Sequence, residues 1–519
     1  PWPRGGARAR ARGVAARRPG RLRPSWTRFR RAGRPALLAL LVALLASACG
    51  GRAALPPPRE PLVATPFAAF RQRPPEVAEA ERPPLPRVER TVLGNGLEVL
   101  RIRQPYHRVA LLLVSRAAHE DLPLGLAGLS AFLARSLPRA TDVSGTIVSS
   151  YLDRRGYEVR TYVGPDASGL GVLTDRARWR EALADLAVAV RAPVFRADTV
   201  AEDRHRWAEV LERFARNAAG GTDLLARRLL FRAEERWGHR ISGHPEAVRQ
   251  FTAERLAQHH ARTFVPNASA LIVVGDLDLE DLGAEAEEAF GDWSRREVEP
   301  RGDGPAGVPL PDNQAWVIPA NLLPQPLLTF SDRAPPLGHP DAPAFAVLAR
   351  LAGGMFMARL NQQLRQRDGY TYGVSAEVEA ARDYGLFRIT TRVDGSRVAE
   401  ALSAIRSEVR RLAVEGPTPG ELATARTLAI EHRRAALEND WSAADVVARA
   451  FGAQVPTATL WREAEAMAEV DAEAVRDVAR RWIRPDAGLF IAAGPLGLVQ
   501  AGAQGAGFAT VGIRRLGRF

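Results

Sequence analysis

The side chains best able to bind a metal or move a proton form two small groups. His259 and His260 are adjacent near the end of a helix that we predict over Thr252–Thr263. Adjacent residues diverge around a helix, so this pair makes a poor shared site. The stretch His119–Asp121, His-Glu-Asp, is typical of a solvated loop. Neither group predicts a metal or catalytic centre.

The N-terminal segment has the pattern of a bacterial export signal. Residues 1–48 hold 12 Arg and no acid, and the apolar run Ala36–Ala46 has 11 residues, too short for a membrane-spanning helix of about 20. Cys49, the only cysteine of the chain, follows Ala-Ser-Ala and precedes Gly50, as in a lipoprotein signal whose cysteine is acylated. An ordinary signal peptide with an incidental cysteine is the alternative. We expect a signal peptide with a basic leader over 1–48, then the lipidated cysteine and a Pro-rich tether over 49–90.

The rest of the chain is nearly neutral. Without the 12 leader arginines, the formal net charge of +13 falls to +1, which argues against a nucleic-acid partner. Since 46% of the residues are hydrophobic, the chain can form packed domains.

The sequence after the N-terminal segment predicts a duplicated α+β unit. Pro266 and Pro485, each just before a predicted strand, are 219 positions apart, as are Gly275 and Gly494, each just after it. We therefore predict two homologous domains, each a mostly antiparallel sheet packed against helices. Their expected bounds are 91–298 and 313–500, with a Pro/Gly-rich linker over 299–312 and a tail over 501–519.

Two stretches carry a resemblance to a known family. They are the segment LAGGMFMARLNQQLRQRDGYTYGV, Leu351–Val374, and the segment GLAGLSAFLARSL, Gly125–Leu137. With the duplication, they closely resemble the insulinase/pitrilysin (inverzincin) metallopeptidases, in particular their short bacterial and mitochondrial-processing-peptidase-like branch. The resemblance covers roughly residues 90 to 497 and implies the duplicated fold.

The resemblance also implies where a zinc site would lie. Active members carry His-x-x-Glu-His on the first-half helix, which supplies two zinc ligands and a general base. The corresponding positions here are Gly128, Ala131 and Phe132, none of which can bind a metal or take a proton. Glu209 and Glu212 lie where the family has a further glutamate ligand, but we interpret them as solvated helix residues. We expect no metal and no other cofactor in this chain.

The second half keeps another part of the family's active site. Members carry an Arg and a Tyr, seven positions apart, that hold the substrate backbone and the tetrahedral intermediate. Arg365 and Tyr372 have this spacing, and both side chains are donors suited to an oxyanion. Tyr370 is a less favoured substitute for Tyr372. The alternative is that both residues simply pack at the domain surface.

Two functions follow as hypotheses. In the first, the chain is the non-catalytic, substrate-holding subunit of a heterodimeric zinc peptidase acting on unfolded peptides, and a homologous partner supplies His-x-x-Glu-His and the zinc. In the second, it is a stand-alone peptide-binding or scaffolding lipoprotein without peptidase activity. Either would face the periplasm on a lipid anchor, and Gly50, which is not the inner-membrane retention signal Asp, favours the outer membrane.

Overall fold

The computed structural model describes residues 85–116, 122–142, 144–231, 235–298, 304 and 308–517. The predicted signal peptide, Cys49, most of the tether and the His119–Asp121 stretch lie outside these described residues. Within the described residues, no helix is both long enough and apolar enough to cross a bilayer.

Two six-stranded sheets form the framework. The first has the spatial order β1-β2-β6-β3-β5-β4, and the second has the order β12-β7-β11-β8-β10-β9. The strands are β1 Val88–Val92, β2 Glu98–Ile102, β3 Arg108–Ser115, β4 Glu158–Val163, β5 Ser168–Asp175, β6 Ser269–Val274, β7 Gln314–Pro319, β8 Leu327–Ala334, β9 Thr371–Ala380, β10 Gly385–Val393, β11 Leu489–Gly494 and β12 Thr510–Ile513.

Helices cover these sheets. They are α1 Leu129–Ser136, α2 Val148–Arg154, α3 Trp179–Arg191, α4 Ala197–Arg216, α5 Ala218–Leu230, α6 Pro245–Val248, α7 Ala253–Thr263, α8 Leu279–Phe290, α9 Ala342–Ala349, α10 Val398–Val414, α11 Pro419–Glu438, α12 Asp440–Gly452, α13 Thr459–Glu469, α14 Ala472–Trp482 and α15 Leu496–Gly505. Two π-helical segments, Arg350–Gly354 and Asn361–Arg367, follow α9.

The two sheets confirm the duplication predicted from the 219-residue offset. β6 and β11 hold the same place, each parallel to one neighbour and antiparallel to the other. The halves differ at one edge, where β1 comes from the start of the body and β12 from its end. The C-terminal tail that we predicted over 501–519 instead adds to the second domain in its described part: α15 runs through Gly505, and Thr510–Ile513 forms β12, which pairs with β7.

Local sequence signals explain several element boundaries. Asn95-Gly96 forms the turn between β1 and β2, with Gly96 at φ 88°, a conformation that glycine adopts without strain. Thr418 and Glu421 form the capping box that starts α11.

The halves are joined by an exchange of helices. α5, from the first half, packs on the second sheet through Leu225 and Leu230 against Leu386 and Ile491. α12, from the second half, packs on the first sheet in a cluster that contains Val447. Each sheet thus buries an apolar face under a helix of the other half.

A buried charge cluster lies beside α5. The Asp223 carboxylate contacts Arg227 on its own helix, Arg240 at 2.7 Å, and Arg388 on β10 of the second half. Burial alone would raise the pKa of Asp223, but the guanidinium groups of Arg227, Arg388 and Arg240 lower it to about 2. The cluster therefore stays ionised at neutral pH and ties both halves together.

We expect Leu225→Ala to lower the free energy of unfolding by roughly 2–5 kcal/mol, because it leaves a cavity under α5. Since the helix exchange couples the halves, both halves should still unfold in a single transition. Tryptophan fluorescence measured at increasing urea concentrations would monitor this transition. Leu428→Ala, at a 41% exposed helix position, is the matched control, with an expected effect below about 0.5 kcal/mol. Separate transitions for the two halves would contradict this coupling.

Candidate functional site

Helix α1 lies where the family carries its zinc motif, and its residues at the motif positions are packed against neighbouring parts of the chain. Gly128 is its N-cap residue at φ 89°, and a Cβ atom added there would lie 2.7 Å from the backbone nitrogen of Gly243. Ala131 is fully buried, and the ring of Phe132, 1% exposed, lies 5.6 Å from that of Phe251. The three positions therefore hold backbone and apolar packing where zinc ligands would need room.

These residues do not fit a zinc ion. Their side chains offer no ligand atom, and Gly128 has no room for a larger side chain. In the described part of the chain, no group of three or more His, Cys, Asp or Glu residues is placed to hold a metal.

Glu209 and Glu212 lie on α4 in surface ion pairs. The Glu209 side chain is 51% exposed and contacts His205 at 3.3 Å and Arg213 at 3.8 Å. Glu212 contacts Arg249. Glu209 is thus a solvated helix residue, as predicted, whereas the Glu212 side chain is only partly exposed, at 31%.

His259 and His260 diverge from α7, as expected for adjacent helix residues. The Nε2 atom of His259 lies 3.0 Å from Ser130 Oγ, and its Nδ1 atom lies 3.4 Å from Arg262 Nη2. Both ring nitrogens of His259 thus contact neighbouring side chains, and its side chain points away from that of His260. His260 bonds Val190 O at 2.8 Å, and burial lowers its pKa to about 4, so it is a neutral core residue.

Arg365 lies exposed in the second π-helical segment. Its guanidinium carbon lies 4.4 Å from the centre of the Phe356 ring, a cation–π contact. Within the described residues it forms no ion pair or side-chain hydrogen bond, whereas nearby Arg367 pairs with Asp368 at 3.2 Å. Its N–H donors are therefore available to a ligand.

Tyr372 is turned outward by a β-bulge. Thr371 pairs with Val393 and Val374 with Thr391, so Tyr372 and Gly373 together face a single residue of β10. The Thr371 hydroxyl holds the bulge, since it donates to Gly373 O and accepts from Gly373 N, each at 3.0 Å. Tyr372 is consequently 84% exposed, with its hydroxyl in solvent.

Tyr370 is the less suitable tyrosine. It is half-buried against the second-half core, and the Arg397 guanidinium lies 5.2 Å from its ring centre. Tyr372 is thus the tyrosine whose side chain is accessible to a ligand.

The amide of Asn361 connects the two parts of this site. Its Nδ2 atom donates to Met355 O and to Val374 O, each at 3.0 Å, while its Oδ1 atom accepts from Val374 N at 2.8 Å. This side chain holds the loop that carries Phe356 against the strand that carries Tyr372.

The outer edge of β9 is partly open. Because Asn361 binds Val374 from outside the sheet, alternate residues Ala376, Val378 and Ala380 also point their backbone groups outward. Arg449 donates to Ala380 O at 3.1 Å. The part of β9 from Ala376 to Ala380 lines a cavity of about 570 Å³, together with residues of α11 and α13.

The sequence carried a signal for only some of these features. A glycine inside a strand, Gly373, often marks a bulge and could have predicted the outward turn of Tyr372. No sequence pattern predicted that Phe356 would be exposed in a turn, because phenylalanine is not a typical turn residue.

Comparisons with known proteins relate this chain to one family of peptidases. Residues 250–428 match the family model described as the peptidase M16 inactive domain. An uncharacterized zinc protease of Mycobacterium leprae is 23% identical over 192 residues, 36% of this chain and 42% of that protein, so the match spans less than half of that relative. An uncharacterized zinc protease of Rickettsia bellii is 22% identical over 340 residues, 64% of this chain and 80% of that protein.

Solved structures share the fold. A peptidase M16 inactive domain from Pseudomonas fluorescens has a TM-score of 0.70 at 19% identity, over 79% of this chain and 98% of that chain. A Helicobacter pylori protease has a TM-score of 0.71 at 15% identity, over 79% and 100% of the two chains. A chain of complex III2 from Candida albicans has a TM-score of 0.67 at 14% identity, over 81% and 99%.

The fold, its duplication and these matches define an insulinase-type peptidase scaffold. The chain is similar to the M16 peptidase family over residues 250–428 and in its fold, and the positions of the family's zinc motif hold Gly128, Ala131 and Phe132.

We expect Gly128→Ala to destabilise the protein by roughly 1–3 kcal/mol or more, because it places a Cβ at positive φ against the Gly243 backbone. Thermal and urea unfolding would measure the loss. Gly125→Ala, three positions earlier, is the control, since its Cβ meets nothing within 4 Å. Equal free energies of unfolding for the two variants would contradict the prediction that a Cβ at position 128 destabilises the protein.

Proposed function

We propose that this chain is the non-catalytic, substrate-holding subunit of a heterodimeric zinc peptidase. A homologous partner would supply His-x-x-Glu-His and the zinc, and this chain would need no cofactor of its own. The substrates would be unfolded peptides in the cell envelope.

One observation carries the proposal: the two donors are free while the zinc position is filled. Arg365 and Tyr372 project into solvent from a braced bulge and helix, and packing against Gly243 fills the space at Gly128. The Tyr372 side chain is 84% exposed, and Arg365 forms no ion pair among the described residues, so both can donate to a bound peptide. Such donors stabilise charge on a carbonyl that another subunit attacks.

The open part of the β9 edge supports peptide holding. An extended peptide can pair with the outward backbone groups of Val378, and side chains of the peptide can enter the adjoining 570 Å³ cavity. Asn361 and Arg449 limit this pairing at either end, at Val374 and Ala380. Backbone pairing accepts many sequences, as a holder of unfolded peptides requires.

The second candidate is a stand-alone peptide-binding or scaffolding lipoprotein. Its specific support is the likeness to a chain of Candida albicans complex III2, because there the same fold is part of a larger assembly. Under this candidate, Arg365 and Tyr372 would take part in no reaction.

For both candidates we propose an envelope location, with Cys49 lipidated and the body facing the periplasm, on the outer membrane. Cys49→Ala should move the protein from the membrane fraction to the soluble fraction and abolish its labelling by a clickable fatty acid. Wild-type protein without lipid label would contradict the anchor, whatever its fractionation.

To test the peptidase role, we would purify the tagged chain from native envelopes and identify the proteins that elute with it in equal amount. With a homologous His-x-x-Glu-His chain present, Arg365→Ala should lower the turnover of an unfolded peptide by roughly a hundredfold without weakening the pair. Arg367→Ala is the matched control, because this exposed arginine is already paired with Asp368.

The outcomes separate the two candidates. A pair whose turnover is unchanged by Arg365→Ala would overturn the substrate-holding role. A chain that elutes without any peptidase homologue would favour the scaffolding candidate.

A further inference from the structure

A tight turn next to Arg365 presents two large apolar side chains to solvent. Ala358 N donates to Met355 O at 3.0 Å, so Phe356 and Met357 are the central residues of a four-residue turn. Met355 and Ala358 are buried, at 9% and 0% exposure, while Phe356 is 61% and Met357 48% exposed. The two buried ends hold the central pair outward.

Polar side chains fix the shape of this turn. Gln362 Nε2 donates to Met357 O at 2.8 Å, and Gln366 Nε2 lies 3.6 Å from Met357 Sδ. Asn361 holds Met355 O from the other side. The exposed apolar pair is therefore preorganised, which lowers the entropic cost of a ligand binding to it.

The turn adjoins an arginine that differs from its neighbours. Arg359 is buried in ion pairs with Glu408 at 3.2 Å and Glu421 at 2.8 Å, and Arg367 is paired with Asp368. Arg365 instead lies on the face of Phe356 and has no acidic partner among the described residues. One surface thus combines an aromatic ring, a flexible thioether and free N–H donors.

We propose that Phe356, Met357 and Arg365 form a specificity surface for a large apolar side chain of an extended peptide. This inference rests on the proposed peptide-holding function and names the kind of residue preferred. Phe356 and Met357 contact the apolar side chain, and Arg365, positioned by the Phe356 ring, donates to the adjacent peptide carbonyl.

The chemistry of the surface argues for this occupant. Turns ordinarily take Gly, Asn, Asp, Ser or Pro at their centre, so Phe-Met is not explained by the folding of the loop. Aromatic, Met and Arg side chains are those that carry binding energy at interfaces, and Met adapts to side chains of varied shape. The N–H donors of Arg365 can bind a peptide carbonyl, and an extended peptide presents one beside each apolar side chain.

The test is binding of two fluorescein-labelled peptides to the purified full-length chain, measured by anisotropy. The peptides are unfolded, of equal length and charge, and differ only in central Leu or Ser residues. Wild-type protein should bind the Leu peptide at least tenfold more tightly. Phe356→Ser/Met357→Ser should remove this preference with little effect on the Ser peptide, and Arg365→Ala should weaken both peptides.

Leu322→Ser is the control, because Leu322 is another exposed apolar residue, at 99% exposure, that is not part of this turn. Phe356→Leu should retain the preference in part. Both substituted turn positions are exposed, and an unchanged melting temperature would verify folding.

The other outcomes are distinguishable. No binding of either peptide to wild-type protein would count against the proposed function itself. Binding without a Leu preference, or a preference that survives Phe356→Ser/Met357→Ser, would overturn this inference alone. Loss of pairing with another subunit, with peptide binding intact, would assign the surface to that subunit and also overturn it.

Discussion

The exchange of helices between the two sheets is the contact on which the remaining structure depends. Each sheet buries one apolar face under a helix of the other half, α5 on the second sheet and α12 on the first. Burial of this kind is the main source of stability in a folded domain. The ionised cluster around Asp223 lies beside it and joins both halves through Arg388. Because this interface is shared, β9 and the site at its start rest on a framework built from both halves.

The sequence was informative where one residue type dictates a local shape. Asn95-Gly96 predicted a turn, the Thr418 capping box predicted a helix start, and the 219-residue offset predicted the equivalence of β6 and β11. It was uninformative where distant segments meet. No local pattern showed that α5 covers the sheet of the other half, or that residues beyond 500 add β12 to that sheet.

The candidate site was predictable in its residues but not in its geometry. Arg365 and Tyr372 were predicted from the resemblance, and Gly128 was judged unsuitable for zinc because glycine has no side chain that could bind a metal. The close approach of Gly243, the exposed pair Phe356 and Met357, and the Asn361 amide each depend on tertiary packing. Such contacts join positions 6 to more than 100 residues apart, so spacing alone does not reveal them.

The bulge at Tyr372 and Gly373 changes the phase of β9. In a regular strand, residues two apart share a face, so Tyr372 would lie on the face of Val374, which is 6% exposed. The additional residue breaks that alternation, and the phenol projects into water instead of the core. The accessibility of this hydroxyl is therefore a property of strand register: an insertion or deletion of one residue nearby would reverse it without altering any side chain.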